Sequence, residues 1–146
     1  TLTKNNFATT IFKNDIGDLN TDGIEFSYNQ ENSKFFISHL NSKKGDVVQL
    51  RRPNWSLGFM HTKDLENNFS LTTNYKYKGK HLDVHNSNWS TISMPETHLL
   101  DLNLGYNWHG IDFGISLLNL FDENYESPHG FSQEGRKFTL GFNKSF

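Results

Sequence analysis

Cysteine is absent from all 146 residues of the chain, which excludes disulfides, thiol catalysis and cysteine-ligated zinc sites. Long hydrophobic runs are absent too, because no stretch approaches the eighteen or so apolar residues that a transmembrane helix needs. A surplus of positive charge is also missing: the net charge is -2, which argues against nucleic acid as a partner. Helical periodicity is nearly absent, so the fold class must be sought in patterns of shorter period.

The chain is poor in hydrophobic residues, which make up 34% of it, although thirteen residues are Phe. A water-soluble protein with so few aliphatic side chains would offset its conformational entropy poorly by burial. A strand that faces lipid on one side and water on the other needs apolar side chains at only half of its positions. Low overall hydropathy is therefore compatible with a membrane barrel.

Apolar and polar residues alternate along several segments, which is typical of strands with one apolar face. In Phe69–Lys80 the odd positions are mostly apolar or aromatic and the even positions are polar. Leu99–Trp108 and the segment from Ile111 repeat this pattern around His109 and Gly110, so they predict a hairpin. Further strands are predicted at Phe7–Phe12, Gly23–Gln30, Lys34–Leu40, Trp55–Lys63 and Gly135–Phe146. We therefore expect an all-β fold with an antiparallel meander of about eight strands.

The phase of one predicted strand, Lys34–Leu40, stays open because Phe35 and Phe36 are adjacent. The connections between the strands are more informative, since short and long ones alternate. Short links are predicted at 29–33, 64–67 and 109–110, and long ones at 13–22, 41–54, 81–97 and 120–136. This alternation is expected of an outer-membrane barrel with tight periplasmic turns and long extracellular loops.

A soluble antiparallel sandwich or lipocalin-like barrel also alternates, and it is the main alternative. The apolar faces end in Tyr and Trp, as the aromatic girdle of a membrane barrel would. We therefore favour the membrane barrel, with Phe146 on the periplasmic side.

The last 28 residues, NLFDENYESPHGFSQEGRKFTLGFNKSF, closely resemble the C-terminal end of TonB-dependent outer-membrane receptors. The stretches FATTIFKNDIGDL, NTDGIEFSY and LRRPNWSLGF are similar to upstream parts of the same family, so the resemblance covers nearly the whole chain. The spacing of Tyr125, Gly130-Phe131 and Gly135-Arg136 is most similar to the cobalamin-receptor-like branch. The residues that match the family signature are Asn119, Leu120, Phe121, Asp122, Tyr125, Gly135, Arg136 and Phe146.

This resemblance implies that residues 1–146 are the C-terminal segment of a 22-stranded barrel whose plug domain and signal peptide lie outside the sequence. It also implies TonB-driven uptake of a scarce chelate, either cobalamin, a ferric siderophore or haem, across the bacterial outer membrane. The chain would supply barrel wall and extracellular loops and have no catalytic role or cofactor. Its implied partners are lipid and lipopolysaccharide, the TonB complex through the plug, the chelate, and the barrel-assembly machinery.

The last strand is similar to the signal that the barrel-assembly machinery recognises, with Thr139, Gly141, Phe142 and Phe146 at matching positions. Lys144 departs from that signal, since an apolar residue is usual there. A Lys near the membrane edge can extend its ammonium to the headgroups, so the departure is tolerable.

Four loop residues are candidate ligand contacts: Arg51, Arg52, Trp89 and Phe131. Arginine suits an anionic siderophore or phosphate group, and an aromatic ring stacks on a planar ligand. The alternative is that the two arginines bind lipopolysaccharide phosphates or stay in solvent. Arg136 either pairs with Asp122 across the mouth of the last loop or contacts lipid phosphates.

The histidines suggest a metal site only weakly. His81 and His85, with Asp83 between them, are expected to be solvated surface, because a spacing of four aligns side chains on a helix and not in a loop. We predict no metal site. Two further hypotheses stay open: an independent eight-stranded structural barrel, and an outer-membrane hydrolase with a Ser-His-Asn site. No nucleophile elbow supports the hydrolase.

Overall fold

The computed structural model describes residues 18–144 in full and, before them, the backbone of Leu2–Lys4 and Ala8–Thr10. Every regular element in this part of the chain is a β-strand, so the all-β prediction is confirmed. The strands are β1 (Leu2–Lys4), β2 (Ala8–Thr10), β3 (Leu19–Gln30), β4 (Ser33–Lys44), β5 (Val47–Val48), β6 (Trp55–Asp64), β7 (Phe69–Lys78), β8 (His81–Val84), β9 (Thr91–Met94), β10 (Thr97–Trp108), β11 (Ile111–Leu118) and β12 (Lys137–Lys144).

Eight of these strands form one antiparallel sheet in the order β12-β11-β10-β7-β6-β4-β3, with the short β5 paired to β4. The prediction of about eight antiparallel strands is confirmed, although one member differs. The described part of Phe7–Phe12 pairs with Leu2–Lys4 and not with the main sheet. The eighth strand is instead β5, a two-residue strand too short to show a period of two.

Short and long connections alternate along the sheet, as predicted. The short ones are residues 31–32, 65–68 and 109–110, and the long ones are residues 45–54, 79–96 and 119–136. β3 and β4 extend further into the predicted long loops than the sequence indicated, and β8 pairs with β9 as a separate hairpin inside the loop 79–96. All three long loops therefore lie at one end of the sheet, which we call the long-loop end.

The register of the sheet places polar and apolar residues on opposite faces. Asp101 pairs with Asn74, and Asn103 with Thr72 on one side and Ser116 on the other, so directly opposed positions share a face. The apolar face carries Ile24, Phe26, Tyr28, Phe35, Ile37, Leu57, Phe59, Leu71, Leu100, Leu102, Leu104, Phe113, Ile115, Leu117, Phe138, Leu140 and Phe142.

The open question about β4 is settled by its neighbour β6. Phe35 lies opposite Phe59 and belongs to the apolar face, whereas Phe36 lies opposite Gly58 and belongs to the polar face. The Phe36 ring occupies the space that a side chain at position 58 would need. The adjacent aromatics therefore serve the two different faces.

No second layer of protein covers the apolar face within residues 18–144. In that part of the chain Met94 is the one buried hydrophobic residue, and Phe142 is 80% exposed. A soluble sandwich would bury this face between two sheets, so the described strands do not form the soluble alternative. The apolar face instead requires an apolar environment from outside the chain. None of the described residues belongs to a helix long and apolar enough to cross a membrane.

Aromatic rings lie at both ends of the apolar face. At the short-turn end Phe69 stacks on Tyr106 with ring centres 4.4 Å apart. At the long-loop end His39 stacks on Trp55 at 4.4 Å, and Tyr77 lies near this end of β7. Phe69 and Tyr77 are eight residues apart on β7, or about 26 Å along an extended strand. This separation suits the apolar band of a membrane barrel, which is about 25 Å tall.

Candidate functional site

The three long loops contact one another at the long-loop end of the sheet. We call residues 45–54 the first loop, 79–96 the second loop and 119–136 the third loop. The Arg51 amide donates to the Leu82 carbonyl oxygen at 2.6 Å, and the Gly79 amide donates to the Trp55 carbonyl oxygen at 2.8 Å. Backbone hydrogen bonds therefore join the second loop to the first loop and to the start of β6.

Asp83 lies at the point where all three loops meet. Its side chain is 0% exposed. One carboxylate oxygen accepts from Arg51 Nε of the first loop at 2.6 Å and from the Val84 amide at 2.8 Å. The other accepts from the His129 amide of the third loop at 2.9 Å. A single buried carboxylate thus links three loops that are far apart in sequence.

The hydrogen bonds to Asp83 keep it ionised. Burial raises the pKa of this carboxyl, but the His129 amide, Arg51 and the Val84 amide more than offset it and hold the pKa at about 2. A buried charge is tolerated only when it is paired and hydrogen-bonded, and Asp83 satisfies both conditions. The link between the loops is therefore a charged one across the physiological pH range.

The prediction that His81, Asp83 and His85 form solvated surface is wrong for the first two. His81 and Asp83 are buried, because β8 pairs with β9 and lies beneath the other two loops. Burial, and next the charge of Lys78, lower the pKa of His81. His85 is half-buried and its ring lies 4.9 Å from that of His129. Among the described residues no group of three metal-ligating side chains converges.

The third loop is closed at its base by residues of the family signature. The buried Asn119 side chain donates to the carbonyl oxygens of Glu123 at 2.9 Å and Glu134 at 3.3 Å. Asp122 accepts from the Arg136 amide at 2.8 Å, and its carboxylate lies 3.6 Å from the Arg136 guanidinium. The pairing of Asp122 with Arg136, one of two alternatives in the sequence, is therefore present in the structure.

Gly135 lies close to the Asp122 carboxylate. A side-chain carbon at position 135 would lie 3.0 Å from the Asp122 carboxylate oxygen. That oxygen must approach closely to reach the Arg136 amide. A close approach of the backbone therefore accounts for the glycine.

The other signature residues have separate positions. The Leu120 amide donates to the Leu100 carbonyl oxygen at 2.8 Å, Phe121 is exposed, and Tyr125 lines a cleft beside Asn119. Thr139, Gly141 and Phe142 lie on β12, the first two on the polar face and Phe142 on the apolar face. Phe146 lies outside the described residues, so the assembly signal stays a prediction.

The four candidate ligand contacts all lie on the long loops, but only Arg51 is held in place by another loop. Its side chain remains 60% exposed beyond the contact with Asp83, and Arg52 beside it is exposed. Trp89 is 81% exposed in the turn between β8 and β9. Phe131 is exposed and follows Gly130, which lies against Asn86 of the second loop.

Arg51 and Trp89 share an uncommon backbone conformation, with φ angles of 60° and 61°. A residue with a side chain in this left-handed region carries a cost of about 1–2 kcal/mol. Such strain persists where the surrounding structure fixes it, often at binding sites. Asn67, Asn68, His109, Asn119 and Asp122 share this conformation, so it does not by itself distinguish the two candidates.

Sequence reasoning missed the contributions of Asp83, Lys78, Glu126 and Ser127. Lys78, Asp83 and Ser127 line a common cleft, and Glu126 holds the His129 ring at 2.8 Å. The one available signal was the position of Asp83 between Leu82 and Val84, since an acid flanked by apolar residues is a candidate for burial. The partners of Asp83 come from distant loops and leave no local pattern.

No protein-family model and no curated protein matches the chain. Solved structures do match. A structure of the pyoverdine outer membrane receptor FpvA from Pseudomonas aeruginosa PAO1, bound to pyoverdine, aligns with a TM-score of 0.73 at 17% identity over 88% of this chain. The ferric-catecholate import receptor Fiu from E. coli K12, in a closed form, aligns with a TM-score of 0.72 at 17% identity over 89% of this chain.

A third neighbour is the FrpB iron transporter from Neisseria meningitidis, with a TM-score of 0.61 at 17% identity over 89% of this chain. The chain covers 22%, 21% and 24% of these three structures respectively, so it spans about one fifth of their length. Identities this low show a common fold. The chain therefore has the barrel-wall fold of outer-membrane receptors, as its resemblance to TonB-dependent receptors predicts.

Proposed function

We propose that this chain is part of an outer-membrane receptor that takes up a scarce iron chelate by TonB-driven active transport. Residues 1–146 supply C-terminal barrel wall and three extracellular loops, and the plug domain belongs to another part of the receptor. The first, second and third loops collect the chelate at the outer surface. Catalysis has no part in this function, and the neighbours reported above are receptors and a transporter.

One observation carries the proposal: one face of the sheet is mostly apolar and the other mostly polar, and the apolar face has no protein cover within residues 18–144. Lipid is the natural cover for such a face, with an aromatic row at each edge. The opposite face carries Glu25, Asn74, Asp101 and Asp112, which suit a water-filled lumen. A sheet with these two faces is a wall between lipid and water.

The orientation follows from the loops. Outer-membrane barrels have short periplasmic turns and long extracellular loops, so the long-loop end faces outward. β12 runs from the third loop towards the short turns, and the C-terminus is then periplasmic. We propose that Thr139, Gly141, Phe142 and Phe146 bind the barrel-assembly machinery, and that the apolar face and the loop edge contact lipid and lipopolysaccharide.

A ferric siderophore is the ligand class that we favour. Two of the neighbours are named as a pyoverdine receptor and a ferric-catecholate import receptor, and none of the three reported is a cobalamin receptor by its name. Arg52, Trp89 and Phe131 are exposed on the loops, where they suit an anionic ligand with planar groups. Cobalamin and haem remain alternatives that the uptake experiment separates.

The test is uptake by cells that lack the gene, complemented with the wild-type gene or with an empty vector. Under iron limitation we expect energy-dependent accumulation of at least one radiolabelled ferric siderophore only in the complemented cells. Labelled cyanocobalamin and haem serve as parallel arms. Equal uptake of every chelate with and without the gene would refute the receptor function.

An independent eight-stranded structural barrel remains the second candidate from the sequence. Such a barrel must close on itself, yet β3 and β12 stand at opposite edges of the sheet and do not pair within the described residues. We therefore rank it below the receptor. The hydrolase is ranked lower still, and esterase activity lost on replacing one Ser would be needed to support it.

A further inference from the structure

We propose that the cleft between the three loops binds an oxyanion, a carboxylate or phosphate group carried by a soluble ligand, through Arg51, Lys78 and Ser127. This inference rests on the proposed function, because it names the group by which the receptor holds its chelate. Lys78 and Ser127 were not among the ligand contacts that the sequence suggested.

The cleft has a volume of about 260 Å³ and is lined by Arg51, Lys78, His81, Asp83, Ser127 and Pro128. Each of the three loops contributes to this lining, together with the end of β7. At about 30 Å³ per water molecule, the space holds a carboxylate or phosphate group with several waters. Its size therefore suits one charged group of a larger ligand.

The donors in the cleft are not matched by acceptors. Arg51 has five N–H donors, and the contact with Asp83 uses only the one on Nε. Among residues 18–144 the Lys78 ammonium, the Ser127 hydroxyl and the terminal nitrogens of Arg51 have no hydrogen bond or ion pair with another side chain. Several donors thus line the cleft without an acceptor.

The negative charge of Asp83 does not cancel this excess. Its carboxylate is shut off from solvent and already accepts three hydrogen bonds. It contacts Arg51 through Nε, so the terminal nitrogens of the guanidinium, which bind oxyanions in pairs of hydrogen bonds, stay available to a ligand. Arg51 and Lys78 together carry two positive charges against this one, so an anion is favoured.

The position of Lys78 indicates whether the bound anion belongs to a soluble ligand or to a lipid phosphate. Lys78 lies opposite Thr97 on one side and Ser56 on the other, which places it on the polar face of the sheet. A lipopolysaccharide phosphate would approach from the apolar face. A ligand that enters from the lumen or the outer solution reaches Lys78 directly, so we assign the oxyanion to a soluble ligand.

The probe is inorganic phosphate, titrated into the full-length protein in detergent micelles and followed by phosphorus NMR line width. We expect saturable binding by the wild type. Lys78→Gln should weaken it about tenfold, because one charge-assisted contact is lost. Lys76→Gln is the matched control: it removes the same charge from the same face of β7 but lies outside the cleft, and its affinity should stay within twofold.

Two results would overturn the oxyanion site: no saturable binding by the wild type, or equal affinity of wild type and Lys78→Gln. A parallel titration with purified lipopolysaccharide identifies the source of the anion. Binding of lipopolysaccharide that depends on Lys78, without binding of free phosphate, would refute the soluble ligand. Because these titrations use purified protein, they fail or succeed separately from uptake by cells, which tests the receptor function itself.

Discussion

Replacing Asp83 by Asn should loosen all three long loops at once. Asn keeps the size of the side chain but removes its charge, and its NH2 group takes the place of one carboxylate oxygen, so a donor then faces either Arg51 Nε or the His129 amide. Those two groups are held at 2.6 and 2.9 Å in the wild type. The substitution therefore breaks one of the two side-chain contacts that join the other loops to the second loop, and it weakens the other contact because the charge is lost.

The size of the effect follows from the lowered pKa. The Asp83 carboxyl has a pKa of about 2 in place of its usual 3.8, which corresponds to about 2–3 kcal/mol of stability for the folded loops. The Asp83 side chain is shut off from solvent, but its partner Arg51 is 60% exposed, so solvent screens part of the interaction. We therefore take about 2 kcal/mol, equivalent to about thirtyfold faster opening.

Hydrogen exchange of the full-length protein in detergent measures this opening loop by loop. Amides of the second and third loops, including those of Val84 and His129, should exchange about thirtyfold faster in Asp83→Asn, while those of β10 stay unchanged. Asp46→Asn is the matched control, because Asp46 is an exposed acid of the first loop and undergoes the same change of charge. Equal exchange in wild type and Asp83→Asn would refute the role of Asp83.

Acid should produce the same effect in the wild type. A carboxyl whose pKa is lowered by folding stabilises the fold fully above its unfolded pKa, near 3.8, and loses this contribution as pH falls towards 2. The difference in exchange between wild type and Asp83→Asn at the same pH should therefore shrink between about pH 4 and pH 2. A difference that stayed constant over that range would show that the charge of Asp83 is not its source.

Two further substitution pairs test the faces of the sheet and the base of the third loop. Leu102→Lys places a charge on the apolar face and should cost about 2–4 kcal/mol, whereas Asn103→Lys on the polar face should cost little. Gel mobility in urea measures the folded fraction of each variant. Equal folded fractions for the two variants would contradict the face assignment. Gly135→Ala should displace the Asp122 carboxylate and cost about 1 kcal/mol. Asp122→Ala should cost about the same, and the variant with both substitutions should cost no more than either one alone. Tryptic cleavage of the third loop measures the loss of stability. If the two substitutions increase cleavage additively, the two residues do not share a contact.

The faces of the sheet were predictable from the sequence because each strand carries its own period. Phe69–Lys80 and Leu99–Trp108 alternate so regularly that their pairing register follows from matching apolar to apolar positions. The adjacent Phe35 and Phe36 could not be assigned, since the face of each depends on the partner strand. Gly58 opposite Phe36 makes room for the second ring, and this complement is visible only once the strands are paired.

The base of the third loop was also partly predictable. The pairing of Asp122 with Arg136 is present, because the two residues stand at the ends of one loop that the neighbouring strands bring together. Asp83 was misjudged for the opposite reason. Its partners Arg51 and His129 are 32 and 46 residues away, and nothing in the local sequence HLDVH indicates which loops fold over it.

The contrast between the sheet and the loops has a common physical cause. The sheet needs no core of its own if lipid covers its apolar face, so its sequence shows only alternation. The loops extend beyond the sheet, and within the described residues they bury a single hydrophobic side chain, Met94. Hydrophobic burial cannot order them, so buried polar groups with full sets of partners must do so. Asp83 and Asn119 are two such groups, one between the loops and one at the base of the third. Conformational order of the three loops therefore depends on a few hydrogen-bonded side chains, and single substitutions at them should loosen the loops while the sheet stays intact.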